Sequence, residues 1–299
     1  MKMDIVELYV IIDDFCQKFM PKYINLLKHK GLATRSREGM LNISETILII
    51  LLFTQSGYKY FKWFYINELA TEYKDYFKQL PSYNRFVEIM PRSLPILLRL
   101  LNYLMYHARL SGFNIEYVDS TKIPVCHNKR TNSHKLFSGI AKIGKSTMGW
   151  FFGFKLHITC DTLGNLTSMA FSSGNTDDRV PVLKLLKGFT GKVFADKGYI
   201  SSKLAEQLQH IGVTLITTPK KNMKSRFMPV NFFDVILHKK RSIIESVINI
   251  LKGKLQLCHT RHRSLYNFIV HIVSVLIGYQ LLCNKPKIRL ENFMLNQFA

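Results

Sequence analysis

Three carboxylates hold the first chemical hint in this sequence of 299 residues. Asp119 closes the apolar run Ile115–Asp119 and is followed by Ser120 and Thr121. Asp196 closes a second run, Val193–Asp196, and is followed by Lys197, Gly198 and Tyr199. Glu245 stands in a long amphipathic stretch further on. Residues 101–299 hold only 10 Asp and Glu against 28 Lys and Arg, so each acid there stands out. Carboxylates are hard oxygen donors, and several crowded together repel one another unless a cation is shared between them. Mg²⁺ suits such a set, because it takes few protein ligands and keeps water and substrate phosphate in its other positions. Two such ions would activate an attacking oxygen and stabilise a leaving oxygen in phosphodiester chemistry. Taken singly, each acid fits a plainer role as well. A strand-end aspartate caps a turn, and Arg241 with Glu245 makes an exposed i,i+4 pair worth ~0.3–0.5 kcal/mol.

The elements that must position these acids can be read from periodicity. Residues 1–110 carry apolar residues at i, i+3 and i+4 through Ile5–Met20, Met40–Thr54 and Ile96–Tyr106, which predicts helices. Pro21 follows the first segment, Ser44 and Glu45 suit the start of the second, and Pro95 opens the third. A short capped helix is predicted over Leu80–Ser93, with Asn84 and Arg85 in its first turn. A short helix with a polar tip inside a helical bundle suggests helix-turn-helix DNA binding, and a plain bundle fits the same pattern. From residue 111 the texture changes to β-branched and aromatic runs: 113–125, 150–161 and 165–173. A helix (Arg179–Leu186), a strand (Lys192–Asp196), a helix (Ser201–His210) and a strand (Val213–Thr217) follow, with Asp177 and Asp178 as caps of the first. This order predicts an α/β fold with a mixed sheet flanked by helices, preceded by an all-helical N-terminal domain. Strand-end carboxylates on neighbouring strands would then share the edge where open sheets place their sites.

A long helix is predicted from about Leu237 to Leu257. At 100° per residue, His238, Arg241 and Lys252 all lie within about 40° of Glu245, on one polar stripe beside an aliphatic face. Basic residues crowd both sides of this helix, with Lys220, Lys221, Lys224 and Arg226 before it. Such clusters around one site favour a track for a phosphate backbone.

His238-x2-Arg241-x3-Glu245-x6-Lys252 resembles the Y-(2)-R-(3)-E-(6)-K signature of DDE transposases of bacterial insertion sequences, with His238 at the Tyr position. Asp196-Lys-Gly-Tyr199 resembles their second-aspartate motif, and Tyr117-Val-Asp119-Ser120 their first. The resemblance runs from about residue 111 to 258. It implies a ribonuclease-H-like catalytic domain over 111–299, preceded by a DNA-binding domain over 1–110. It also implies Asp119, Asp196 and Glu245 as catalytic metal ligands, two Mg²⁺ ions (or Mn²⁺), and His238, Arg241 and Lys252 in support. Double-stranded DNA, as element terminal repeats and as target, is the implied partner, bound by a homo-oligomer.

The net charge is +22, and 28 − 10 = +18 of it lies in residues 101–299. A surplus of that size implies a polyanion partner. Five dispersed cysteines without a C-x-x-C fit a reducing, cytoplasmic compartment. The N-terminal run carries acids and lacks the pattern of a signal peptide, and the longest apolar run, Phe268–Cys283, falls short of ~20 residues, so no membrane partner is expected. A non-catalytic DNA-binding protein explains the charge and leaves the three acids without a role; a simple metal-dependent nuclease would use them without strand transfer. Binding to duplex DNA should weaken with salt at a log–log slope of about −0.9 per phosphate contact. A nearly flat salt titration would point instead to an acidic protein or a membrane.

Overall fold

The structure, a computed structural model, describes residues 3–32, 39–147, 149–217, 231–258 and 262–288. Among them are six strands: β1 (Ile115–Pro124), β2 (Lys142–Ser146), β3 (Gly149–Cys160), β4 (Leu166–Ser173), β5 (Gly191–Ala195) and β6 (Val213–Thr217). Eight described helices have seven residues or more: α1 (Ile5–His29), α2 (Ile43–Ser56), α3 (Tyr83–Ile89), α4 (Leu94–Leu110), α5 (Ser202–His210), α6 (Phe232–Lys239), α7 (Ser242–Asn249) and α8 (Leu265–Gln280). None of the described helices is long and apolar enough to cross a membrane. The chain divides into two compact units, Met1–Asn102 with Gly253–Cys283, and Tyr103–Lys252 with Asn284–Ala299.

The first unit is helical. Asp4 caps α1 by accepting from the amides of Val6 and Glu7, and the helix buries Ile5, Leu8, Ile12 and Cys16 along one stripe. Pro21 does not end it, contrary to the expectation from sequence; α1 runs through Pro21 to His29. Past Cys16 that helix is largely exposed, so water can satisfy the carbonyl that the missing N–H leaves free. The cap of α2 is Asn42 rather than Ser44. The Asn42 side chain accepts from the Glu45 amide and the Glu45 carboxylate accepts from the Asn42 amide, which satisfies two free donors at once. Ile47 to Leu52 are all buried, so α2 is apolar all round and lies in the middle of its unit, packed by α1 and α8. Gly278 lets α8 come close: a Cβ there would stand 2.5 Å from the Thr54 hydroxyl. Ser82 caps α3, its hydroxyl accepting from the Arg85 amide, as the sequence predicts.

The second unit is built on a mixed sheet of order β2-β3-β1-β5-β6, with β4 also on β3. β3 runs antiparallel to β1, β2 and β4, whereas β1, β5 and β6 run parallel. β2 is absent from the sequence expectation, because a five-residue strand with Ile143 as its one apolar residue carries little signal. Val118, Val193, Ala195 and Leu215 bury one sheet face under Val182, Leu185, Leu204 and Leu208. On the other face Tyr117 stacks on Phe194 with ring centroids 5.4 Å apart and donates its hydroxyl to the Leu237 carbonyl at 3.2 Å. β3 must pass tightly beside β1 at Gly153, where a Cβ would meet the Ile123 carbonyl oxygen at 2.2 Å.

A buried ion pair anchors the start of β1. Glu116 is 2% exposed, and Arg109 at the end of α4 grips it at 2.8 and 3.2 Å. The same guanidinium donates to the Leu185 and Lys187 carbonyls. Removing one partner leaves the other charge stranded, so Arg109→Ala should cost about 3–5 kcal/mol. A double replacement, Arg109→Met with Glu116→Leu, should regain most of that in chemical denaturation. Equal midpoints for the parent and Arg109→Ala would show the pair to be dispensable.

Candidate active site

β1 lies within the run 113–125 read from the sequence and continues past Asp119, paired with β3, to Pro124. What ends near Asp119 is the parallel partner. The register of β1 on β5 pairs Tyr117 with Phe194, so Asp119 and Asp196, each two residues on, lie level and on one face by the period-2 rule. Asp196 directly follows β5, where the chain turns through Lys197–Tyr199.

The predicted single helix over 237–257 is broken. α6 ends at Lys239, α7 starts at Ser242 with Arg241 at its cap, and a π-helical turn follows over Ile250–Lys254. The stripe of His238, Arg241, Glu245 and Lys252 therefore cannot be projected at a constant 100° per residue. Arg241 and Glu245 stay on adjacent turns, and Arg241 Nη2 lies 3.1 Å from Glu245 Oε1 and 3.8 Å from Asp196 Oδ1. The guanidinium joins the two acids, which are themselves about half exposed. His238 reaches the site from α6, its ring 6.4 Å from that of Phe194. Partial burial and the nearby Arg241 charge lower its pKa, against the opposing pull of Asp196. Lys252 sits in the π-helical turn, partly buried.

Asp119 is the most enclosed of the three acids. Burial pushes its pKa up to about 6. The Ser120 amide, donating to Oδ1 at 2.7 Å, and Arg241 oppose the shift, while Asp196 and Glu245 add to it. Among the described residues no three His, Cys, Asp or Glu side chains converge as a ready metal cage. The donor chemistry nonetheless fits a divalent cation: three hard-oxygen groups, two of which raise the proton affinity of Asp119, with a guanidinium now supplying the positive charge between Asp196 and Glu245.

Sequence reasoning missed a polar cluster beside this site. Asp178 is not a helix cap. It takes Lys155 Nζ at 3.0 Å and lies 3.8 Å from Nδ1 of the fully buried His157, whose Nε2 meets the Ser172 hydroxyl at 2.8 Å. Burial first, and the Lys155 charge, hold the His157 pKa down to about 4, although Asp178 pulls the other way. Tyr199 is buried beside Asp119, Asp178 and Ser120, and its phenol pKa is driven up by burial. The alternation of Lys155 and His157 along β3 was the available signal; their partner 20 residues away was not. Asp177, by contrast, does cap its turn, accepting from the Arg179 amide at 2.9 Å.

Asn84 and Arg85 are exposed on α3, where Arg85 pairs with Glu88 at 2.9 Å. Lys220, Lys221, Lys224 and Arg226 lie outside the described residues.

A family model described as the transposase DDE domain matches residues 110–265, which is 156 of 299 residues. The chain belongs to that family. The match takes in β1, β5 and α7 with all three acids. No curated protein matches the transposase by sequence. A cryo-EM structure of a piggyBac transposase synaptic complex with hairpin DNA is similar at 13% identity and a TM-score of 0.46, covering 92% of this chain and 74% of that one.

The raised pKa of Asp119 makes a stability prediction. A carboxyl that binds its proton more tightly when folded favours the fold below its unfolded pKa of about 3.8, and loses that advantage as pH rises through about 6. Without added metal, Asp119→Asn should therefore gain on the parent between pH 4 and 7, by about 2–3 kcal/mol at the upper end. A stability difference that stays constant over this range would show that Asp119 titrates as an ordinary carboxylate.

Proposed function

We propose that this transposase serves a bacterial insertion sequence of the group with the Y-(2)-R-(3)-E-(6)-K signature, acting in the cytoplasm on the terminal repeats of its own element. Its catalytic domain is ribonuclease-H-like. The strand order supports this: a central first strand carries antiparallel strands on one side and two parallel strands on the other. The observation that carries the functional reading is the β1–β5 register, which levels Asp119 with Asp196, together with the Arg241 bridge from Asp196 to Glu245.

In this reading Asp119, Asp196 and Glu245 hold two divalent ions, Mg²⁺ or Mn²⁺. When bound, the ions supply an activated attacking oxygen and a stabilised leaving oxygen. Water would cleave the phosphodiester at the element end to give a 3′-OH and a 5′-phosphate, and that hydroxyl would then attack a target phosphodiester, forming the new P–O bond as the target's 3′ oxygen leaves. Arg241 keeps Glu245 oriented through its i,i+4 contact, and its guanidinium is also suited to holding a phosphate. Lys252 acts as a point charge on phosphate, and His238, less basic than an ordinary histidine, stands beside Asp196 as a neutral hydrogen-bonding group. The helical domain, with Asn84 and Arg85 on α3, holds the DNA, with Lys220, Lys221, Lys224 and Arg226 on its backbone. A homo-oligomer brings two ends together.

The test uses labelled element-end DNA with Mg²⁺ or Mn²⁺. Asp119→Ala, Asp196→Ala and Glu245→Ala should each abolish cleavage while end binding persists or tightens, since losing a carboxylate lowers the repulsion against phosphate. Any variant that cuts as fast as the parent removes its residue from the site.

A further inference from the structure

The β2–β3 hairpin carries a feature that cleavage does not use. Trp150 is 60% exposed at the start of β3, and Ile143 beside it on β2 is 53% exposed. The register Lys145↔Trp150 and Ile143↔Phe152 puts these four side chains on one face of the hairpin. Over that face lies the turn Asn128–Arg130, tied down by the Asn128 side-chain Nδ2, which donates to the Trp150 carbonyl at 2.8 Å. Between turn and hairpin is an open hollow of about 390 Å³, lined among others by Asn128, Lys129, Ile143 and Trp150. Lys145 Nζ lies 5.5 Å from the indole centroid.

Its size, its chemistry and its surroundings agree on one class of ligand. An exposed indole offers a face for stacking, amide and hydroxyl groups line the rim, and the charge is of a single sign. Residues 120–160 contain seven Lys and Arg and no Asp or Glu. An apolar protein partner would gain nothing from that charge, whereas a stacked base brings flanking phosphates to Lys129 and Lys145.

We propose that this hollow binds one unpaired nucleobase of DNA, stacked on Trp150. The inference rests on the DNA-acting reading above and adds a subsite to it. β3 pairs with Asp119 at Ile158, eight residues from Trp150 and so about 26 Å along the strand at ~3.3 Å per residue. The base held here is therefore several nucleotides from the bond that Asp119 serves, in a stretch of strand that has left the duplex.

Because the chain has only two tryptophans, Trp63→Phe leaves Trp150 as the sole indole reporter. That protein is titrated with a 20-mer of dT, a blunt 20-bp duplex, and the same duplex bearing a single-stranded tail. Quenching of Trp150 by the dT 20-mer and the tailed duplex, but not by the blunt duplex, is the expected result. In anisotropy titrations Trp150→Ala should bind the dT 20-mer about tenfold more weakly, with blunt-duplex affinity unchanged. Trp150→Phe, which keeps an aromatic face, should recover most of the loss. Equal single-strand affinity for Trp150→Ala and the parent, or equal quenching by the blunt duplex, overturns the stacking site while duplex binding leaves the DNA-acting reading standing. Failure of both DNA forms to bind at all overturns the DNA-acting reading and the subsite with it.

Discussion

Everything at the candidate site depends on one parallel pairing. Three ladder positions between β1 and β5, ending at Tyr117 opposite Phe194, decide where Asp119 and Asp196 stand. A slip of one residue would turn one carboxylate to the opposite face of the sheet, toward the aliphatic layer under Val182 and Leu204. Such a short parallel ladder does not hold its register unaided. The stack of Tyr117 on Phe194, the Tyr117 hydroxyl on the end of α6, and Arg109 on Glu116 two residues before Val118 each pin it from a different side. The placement of the two aspartates thus leans on packing among residues set apart from them.

The crowding of acids that results is tolerated because Arg241 stands at a helix break. Had α6 and α7 been one continuous helix, Arg241 would sit mid-helix. The break instead makes it a cap residue, with its guanidinium between Asp196 and Glu245. Enclosure of Asp119 still costs it its ordinary acidity, and the carboxylates of Asp196 and Glu245 add to the shift.

Much of this was legible in the sequence, and what was missed has physical causes. β1, β3 and β6 show in apolar and β-branched composition, which is local information. The acids after Tyr117-Val118 and after Phe194-Ala195 stand out because acids are scarce there. The break at Lys240 was not legible, since no Pro or Gly marks it and the apolar period continues across it. Asp178 read as a cap because sequence shows its neighbours and hides Lys155. The change of texture near residue 110 compares with a unit boundary after Asn102, and residues 253–283 join the helical unit because α8 covers α2.

That last arrangement bears on how the chain is made. α2, apolar on every side, leaves the ribosome about 210 residues before α8, the helix that packs on it. At 5–20 residues per second the wait is roughly 10–40 s. During that interval all six strands of the sheet emerge and can pair, whereas residues 284–299, which belong to the same unit as the sheet, follow α8. Through that interval α2 lacks the cover of α8, and a nascent chain in this state is a client for chaperones. The strands beside Asp119 and Asp196 are therefore all available for pairing before the helical unit is whole.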